Sequence, residues 1–237
     1  MTYSYKCRSR DKIIGHRGAC AYCPENTLSS FNQAIKFGLN WIECDTRLSS
    51  CNQWVIIHDE TVERTSNGKG QVSQLKLSEL KSLDMGTWFH KNFNNEKILT
   101  LPELVSYCAS MQVSINLEVK VHEKDRELYI DKIVEFLRNK PSTTNILLSS
   151  FDLPFLKAVR ERLPFQSIGY LVKQIELDTF DIVEQNSFNS LNCCSNKITS
   201  KDIKKALSYR IPLFLYTIND PDKARYFPTS ALKYITP

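Results

Sequence analysis

Ile13-Ile14-Gly15-His16-Arg17-Gly18 is the stretch of sequence that decides the fold, because a short apolar β-type run passes there directly into ionisable residues. Two later stretches, Trp41–Asp45 and Trp54–Asp59, have the same form. The carboxyl ends of parallel strands meet at one face of a barrel or sheet, so side chains at those ends converge. The three stretches therefore predict an α/β fold with a polar site at that face.

Short β-type runs alternate with helical patterns along the whole chain of 237 residues. The predicted strands are Ile13–Gly15, Trp41–Asp45, Ser114–Lys120, Asn145–Ser149, Ser167–Leu171, Ser190–Cys193, Pro212–Tyr216 and Leu232–Ile235. The predicted helices are Asn26–Phe37, Leu101–Ser110 with Thr100 as N-cap, Lys124–Arg138, Pro154–Arg162, Ile175–Gln185 and Lys201–Ser208. Eight strands that alternate with helices, in a chain close to the ~250 residues typical of the fold, predict a single (β/α)₈ TIM barrel domain over residues 1–237.

The run Trp54–Asp59 is an exception to this alternation. Only eight residues separate it from Asp45, whereas a parallel crossover needs a dozen or more. We therefore expect an antiparallel hairpin after the second barrel strand, turning near Ser50–Asn52 and returning His58 to the barrel rim. The segment of about 60–98 that follows is expected to form a long loop over the active-site face.

Composition restricts the class of protein. Hydrophobic residues make up 42% of the chain, which is enough for one well-filled core. Met1–Lys12 is polar and basic, unlike a signal peptide, and no apolar run approaches the ~18 residues of a membrane span. We therefore expect a cytoplasmic protein without stable membrane insertion. The net charge of +5 comes from scattered lysines, which argues against nucleic-acid binding, and the oligomeric state stays open.

The eight cysteines are expected to be reduced thiols in that compartment. Cys20 and Cys23 have the spacing of half a zinc site, and the pair Cys193-Cys194 is the candidate for its other half. Neighbouring cysteines rarely both reach one ion, however, and no second Cys-x-x-Cys exists. Buried or incidental thiols are therefore favoured over structural zinc or redox chemistry.

Paired charged residues lie at the ends of two predicted strands. Glu43 and Asp45 are two residues apart, so their carboxylates point to one face of their strand. Glu118 and Lys120 repeat that spacing on the next barrel strand. Three carboxylates without a cysteine or histidine partner suit a hard divalent cation, Mg²⁺ or Ca²⁺. Lys120 and the forked guanidinium of Arg17 would then bind phosphate oxygens, the alternative being an ion-pair layer that only fills the barrel.

Two histidines, His16 and His58, are predicted to lie on either side of this cluster. Histidine titrates near neutral pH, so one can accept a proton from an attacking hydroxyl while the other donates one to the leaving oxygen. The sequence identifies the pair but not which histidine is the acid. Asp59 either orients His58 or caps the loop that follows. With the carboxylates and Arg17, these groups suffice for metal-assisted cleavage of a phosphate ester.

Ten motifs spread over nearly the whole chain carry a family resemblance, which is most specific in the N-terminal third. They are His16-Arg17-Gly18, Pro24-Glu25-Asn26-Thr27, Glu43-Cys44-Asp45, His58-Asp59-Glu60-Thr61, Arg64-Thr65, Asn67-Gly68-Lys69-Gly70, Leu101-Pro102-Glu103-Leu104, Asn116-Leu117-Glu118-Val119-Lys120, Leu148-Ser149-Ser150-Phe151 and Tyr216-Thr217-Ile218-Asn219. Together they resemble the glycerophosphodiester phosphodiesterases, a family of the phospholipase-C-like phosphodiesterase superfamily, in their cytoplasmic bacterial form.

This resemblance implies a phospholipase-C-like barrel that hydrolyses a small glycerophosphodiester to sn-glycerol 3-phosphate and an alcohol. It also implies roles for nine residues: metal binding by Glu43, Asp45 and Glu118, catalysis by His16, His58 and Arg17, phosphate contacts from Arg17 and Lys120, and substrate contacts from Phe151 and Tyr216.

Three positions depart from the family pattern. The hairpin tip Cys51-Asn52-Gln53 replaces the usual Asp-Gly, and Tyr216 replaces a usual tryptophan at an apolar wall of the glycerol site. The sequence ends at Pro237, where the family continues into a final helix, so we expect the last strand to lack its covering helix.

Two other functions stay open. A lysophospholipase D-like or C-like activity would need an exposed apolar rim, for which Trp88, Phe89 and Phe93 are the candidates. A non-catalytic binding protein on the same barrel would be favoured by loss of a histidine or carboxylate, and none is lost. The sequence does not determine the leaving alcohol, the choice between Mg²⁺ and Ca²⁺, or whether the reaction passes through a cyclic phosphate rather than direct attack by water.

Overall fold

The computed structural model describes residues 12–141, 143–220, 222 and 232–237. Its strands are β1 (Ile13–Gly15), β2 (Trp41–Leu48), β3 (Trp54–Ile56), β4 (Ser114–Val119), β5 (Ile146–Ser150), β6 (Ser167–Val172), β7 (Ser190–Cys194), β8 (Leu213–Tyr216) and β9 (Leu232–Thr236). Its α-helices are α1 (Leu28–Lys36), α2 (Leu77–Ser82), α3 (Leu101–Ser110), α4 (Arg126–Asn139), α5 (Leu153–Arg162), α6 (Thr179–Gln185) and α7 (Ser200–Ser208). Short 3₁₀ helices span Val72–Gln74, Lys91–Phe93 and Glu123–Asp125.

Eight of these strands form a closed parallel barrel. They follow one another in the order β1, β2, β4, β5, β6, β7, β8, β9, and β9 pairs with β1 to close the ring. The remaining strand, β3, pairs antiparallel with β2, with Thr46 opposite Ile56 and Leu48 opposite Trp54. The predicted TIM barrel with an antiparallel hairpin after its second strand is therefore confirmed.

The alternation of side chains along the strands separates the polar site from the main core. Ile42 and Cys44 of β2 are fully buried in the apolar layer between barrel and helices. Glu43 and Asp45 point the opposite way, into the barrel. The parallel register places Asp45 directly beside Glu118 of β4. Nearer the amino ends of the strands the barrel interior is filled by a small apolar cluster of Ile14, Leu147, Phe214 and Ile235.

Side-chain hydrogen bonds mark the starts of two helices that begin later than the sequence predicted. The Thr27 hydroxyl accepts a hydrogen bond from the backbone N–H of Ser30, so α1 begins at Leu28 rather than Asn26. Helix α6 begins at Thr179 rather than Ile175, because the Thr179 hydroxyl accepts from the backbone N–H of Glu176 and forms a turn there. The cap predicted at Thr100 is present, as a capping box with Glu103.

The long segment after the hairpin has an apolar core of its own. Seven buried side chains form it, namely Val55, Ile57, Val62, Val72, Leu80, Met85 and Ile98. A backbone bridge joins Thr61 to Gln71 within the segment, and a second bridge joins Val55 of β3 to Thr100, which ties the end of the segment to the hairpin. The segment is therefore a packed layer against β3, which holds the loop after His58 in place.

Candidate active site

A cavity of about 160 Å³ opens at the carboxyl ends of the barrel strands. Its wall consists of His16, Arg17, Glu43, His58, Asn116, Glu118, Lys120, Phe151, Leu171, Tyr216, Thr217 and Ile235. Eight of the nine predicted site residues lie in this wall, and the ninth, Asp45, contacts Lys120 just behind it. The structure thus brings all nine together, while their chemical roles stay predictions.

Three carboxylates form an acidic cluster in this cavity. Glu43, Asp45 and Glu118 each place one oxygen within 4.8 Å of the others. Burial, with the neighbouring charges of Asp45 and Glu118, raises the pKa of Glu43 well above its ordinary value. Burial and then Asp45 raise the pKa of Glu118 to about 7. A divalent cation would relieve this repulsion, and an all-oxygen donor set fits Mg²⁺ or Ca²⁺.

Lys120 pairs with two of the three carboxylates. Its Nζ lies 3.1 Å from Asp45 Oδ1 and also donates to Glu118 Oε1. Burial alone would raise the pKa of Asp45, but the charges of Lys120 and Arg17 hold that pKa below its ordinary value. Lys120 therefore places a compact positive charge at the border of the acidic cluster.

Arg17 follows β1 in a tight turn. Its φ is 52° and that of Gly18 is 87°, and any side chain at Gly18 would collide with the start of α1. The Arg17 backbone N–H donates to Glu43 Oε2 at 2.9 Å, and Nη1 donates to Glu25 Oε1 at 2.7 Å. The buried Nε lies 3.4 Å from Asp45 Oδ2 but has no hydrogen-bond partner. A buried donor without an acceptor, beside a cation site, fits a phosphate oxygen.

The two histidines reach the acidic cluster from different elements. His16 follows β1, and its Nε2 lies 3.9 Å from Glu43 Oε2. His58 follows β3, and its Nδ1 lies 2.6 Å from Asp59 Oδ1. That hydrogen bond makes Nδ1 the donor and leaves Nε2 to exchange a proton with a substrate. Burial and then Arg17 lower the pKa of His16 to about 4, and burial also lowers the pKa of His58.

Arg64 joins the loop that follows His58 to the loop that follows Arg17. Its Nε and Nη2 donate to Asp59 at 2.5 and 3.1 Å, and its Nη1 and Nη2 donate to Glu25 at 2.8 Å each. Arg64 and Glu25 each belong to a motif of the family resemblance, but the sequence assigned neither of them a place in the site. Spacing could not show the pairing, because Arg64 and Glu25 lie 39 positions apart in the sequence.

Asn26 is a second site residue that sequence reasoning missed. Its Nδ2 donates to Asp45 Oδ2 at 3.0 Å, and its Oδ1 accepts from the Asp45 backbone N–H at 3.3 Å. Asn26 is buried and has a φ of 58°, a left-handed conformation that asparagine tolerates better than most residues. The Pro24-Glu25-Asn26-Thr27 motif was the only signal, and its contact with Asp45 required the fold.

Aromatic rings form the wall on the other side of the cavity. Phe151 and Tyr216 meet edge to face, with their ring centroids 6.2 Å apart. The Tyr216 hydroxyl donates to the carbonyl of Val172 at 2.8 Å, which fixes the ring. Such a wall suits the carbon atoms of a small polyol.

Several other candidates lie outside the site. Trp88 and Phe93 each pack edge to face on Phe89, and none of the three lines the cavity. The seven cysteines among the described residues are free thiols, whereas Cys7 lies outside that part of the chain. Within the described ranges, the acidic cluster is the only group of three or more metal-type ligands. None of the helices described there is both long and apolar enough to span a membrane.

Comparison with known proteins identifies the family. The glycerophosphoryl diester phosphodiesterase family model matches residues 16–230. A glycerophosphodiester phosphodiesterase of Caldanaerobacter subterraneus is 34% identical over 159 residues, which are 67% of this chain and 65% of that relative. An Oleispira antarctica phosphodiesterase, solved with its product sn-glycerol-3-phosphate, has a TM-score of 0.90 and 30% identity, covering 95% of this chain and 92% of its own.

A second solved structure agrees with this match. The glycerophosphodiester phosphodiesterase of Thermotoga maritima has a TM-score of 0.76 and 28% identity, covering 95% of this chain and 94% of its own. The family model alone spans most of the present sequence, including every residue of the cavity wall except Ile235. The chain belongs to the glycerophosphoryl diester phosphodiesterase family.

Proposed function

We propose that this protein is a metal-dependent glycerophosphodiesterase that releases sn-glycerol 3-phosphate and an alcohol. The observation that carries this proposal is the convergence of three carboxylates, Arg17, Lys120 and two histidines in one cavity. The Oleispira antarctica phosphodiesterase, which is similar over 95% of this chain, holds sn-glycerol-3-phosphate as its product. That product supports the same cleavage here.

The residues of the cavity divide between binding the phosphate and binding glycerol. Glu43, Asp45 and Glu118 would hold Mg²⁺ or Ca²⁺, which supplies positive charge to the phosphate and lowers the pKa of a coordinated hydroxyl. The guanidinium of Arg17, with its unused Nε donor, and the ammonium of Lys120 bind phosphate oxygens. The aromatic wall of Phe151 and Tyr216 contacts the glycerol carbons.

The two histidines move the protons. His16, kept neutral by burial, accepts the proton of the attacking hydroxyl at Nε2. That hydroxyl belongs either to the substrate glycerol, which gives a cyclic phosphate that water later opens, or to water itself. His58 donates a proton to the alcohol oxygen as its bond to phosphorus breaks, and Asp59 stabilises the imidazolium required for this step. One proton is taken up and one released, so exchange with solvent restores both rings.

Release of glycerol 3-phosphate tests the proposal directly. Purified protein is incubated with glycerophosphocholine, glycerophosphoethanolamine, glycerophosphoglycerol and glycerophosphoinositol, each with Mg²⁺, with Ca²⁺ and with EDTA. We expect cation-dependent release from at least one of these diesters and none with EDTA. Absence of release from all four with either cation would contradict the proposal.

The same assay separates the alternatives. A lysophospholipase should cleave lysophosphatidylcholine faster than glycerophosphocholine. We expect the reverse, because Trp88, Phe89 and Phe93 lie outside the cavity wall and offer no apolar surface there. A non-catalytic protein would bind glycerol 3-phosphate without turnover; against this reading, the three side chains predicted to be catalytic, His16, Arg17 and His58, all line the cavity.

A further inference from the structure

Arg64 uses every nitrogen of its guanidinium on two carboxylates from different loops. The Nε–Nη2 side of the group binds Asp59, and the Nη1–Nη2 side binds Glu25. The side chain is 45% exposed and belongs to neither the acidic cluster nor the cavity wall. Its bonding is therefore not explained by direct contact with substrate.

Each of the two carboxylates holds one group of the proposed site. Asp59 accepts from His58 Nδ1 at 2.6 Å, and Glu25 accepts from Arg17 Nη1 at 2.7 Å. We propose that Arg64 is a positioning residue that sets, through these carboxylates, the orientation of both His58 and Arg17. This inference rests on the proposed function, because it concerns the alignment of the proton donor with the phosphate-binding arginine.

The electrostatics of the loop agree with this role. The hydrogen bonds from Arg64 are the main cause that keeps the pKa of Asp59 below its ordinary value. Burial alone would raise the pKa of Glu25, but the bonds from Arg64 and Arg17 lower it. Arg64 thus keeps both carboxylates ionised and fixed, so that each can accept from its second partner.

The backbone around Arg64 is anchored by its neighbours. Val62 and Thr65 on either side of it are buried, and the Val62 N–H donates to the Gly70 carbonyl at 3.1 Å. A guanidinium can bind two carboxylates through two pairs of N–H groups, whereas a lysine ammonium is a point charge that holds neither in a fork. The position therefore requires arginine rather than any cation.

Kinetics of four variants test the inference. Arg64→Gln should lower kcat about 10-fold and raise KM several-fold, because small misplacements of catalytic groups are costly. Asp59→Asn should lower mainly kcat through His58, and Glu25→Gln should raise mainly KM through Arg17. Arg64→Lys should restore charge but recover only part of the lost activity.

Double variants show whether Arg64 acts through its partners. The kcat effect of Arg64→Gln should shrink when Asp59→Asn is already present, and its KM effect should shrink when Glu25→Gln is present. A merely structural role would give effects that add in both double variants. Full additivity would therefore overturn the inference.

Arg162 provides a matched control. Its side chain is 40% exposed and pairs with two carboxylates, Asp131 and Glu127, away from the cavity. Arg162→Gln should leave kcat and KM unchanged, and thermal unfolding will show whether Arg64→Gln is as well folded as this control. Wild-type kinetics in a folded Arg64→Gln variant would overturn the inference alone, whereas an inactive wild-type protein would contradict the proposed function instead.

Discussion

At the scale of single residues, Glu118 and Lys120 lie two positions apart, yet the activities of variants at these two positions should respond differently to added metal. Glu118→Gln removes one proposed metal ligand, so a high concentration of Mg²⁺ or Ca²⁺ should restore part of the lost activity. Lys120→Ala removes a charge that binds phosphate and should not respond to added metal. Metal titrations of kcat/KM measure the difference. Identical responses of the two variants would refute this division of roles.

The two histidines should each be needed for turnover. His16→Ala and His58→Ala should lower kcat by roughly 10² or more with little change in folding, since proton transfer contributes about that factor. A nitrophenyl ester, whose leaving group needs no proton, identifies the acid. We expect His58→Ala to recover most of its rate on that ester, because the Asp59 hydrogen bond favours the protonated ring, and His16→Ala to stay slow.

The opposite pattern would exchange the two roles, since the variant that lacks the acid is the one that the nitrophenyl ester rescues. Losses of only a few-fold in both variants would show that the histidines are structural.

At the scale of elements, chain length between motifs was the most informative signal. The eight residues between Asp45 and Trp54 predicted the antiparallel strand β3, because they are too few for the crossover that a parallel strand would need. Helix starts were less predictable, because α6 depends on a turn closed by the Thr179 hydroxyl rather than on the apolar pattern. Local side-chain hydrogen bonds of this kind offer the backbone an alternative to the helix, and the spacing of apolar residues does not reveal them.

Asp84 should be the main anchor of the loop that follows α2. Its carboxylate accepts from the backbone N–H groups of Gly86, Thr87 and Asn95 at 2.8 Å each. Burial alone would raise the pKa of Asp84, but these hydrogen bonds lower it. A carboxylate with a lowered pKa stabilises the fold above its unfolded-state pKa of ~3.9, and that contribution is lost as the pH falls further.

Asp84→Asn should therefore lower the free energy of unfolding by about 2 kcal/mol at pH 7. The difference between wild type and variant should shrink as the pH falls below about 4, because the carboxyl then becomes protonated in the unfolded chain while the folded protein still holds it ionised. Urea unfolding of wild type and variant at several pH values measures the difference in the free energy of unfolding. Asp131→Asn, which removes an exposed carboxylate on α4, is the control and should cost less than ~1 kcal/mol. A difference that is constant with pH would contradict the proposed anchoring.

At the scale of the whole molecule, the barrel could be predicted because eight short β-type runs alternate with helical patterns along the chain, and the first of these runs end in ionisable residues. The same regularity predicted which residues would converge, since Glu43, Asp45 and Glu118 follow from strand alternation and register. The contacts of Arg64 and Asn26 could not be predicted, because they join loops whose paths depend on the closed barrel. That residues 1–237 form one domain in the cytoplasm stays a prediction.

The acidic cluster also links metal binding to the stability of the whole fold. Removal of divalent cations should abolish activity without unfolding the protein, because Lys120 and Arg17 already offset part of the repulsion among the carboxylates. A cation that binds only the folded state should add about 2.7 kcal/mol at a concentration of 100 Kd. For a chain of this length, that corresponds to a rise in Tm of roughly 5–10 °C.

Calorimetric scans in EDTA, Mg²⁺ and Ca²⁺, run beside activity assays, measure both effects. Glu118→Gln is the matched variant, and at the same cation concentration it should show a smaller rise in Tm because one ligand is lost. Full turnover after dialysis into excess EDTA would contradict the metal assignment. An equal rise in Tm for wild type and Glu118→Gln would instead place the stabilising cation at another site, because a ligand change that leaves cation binding intact cannot be at the binding site.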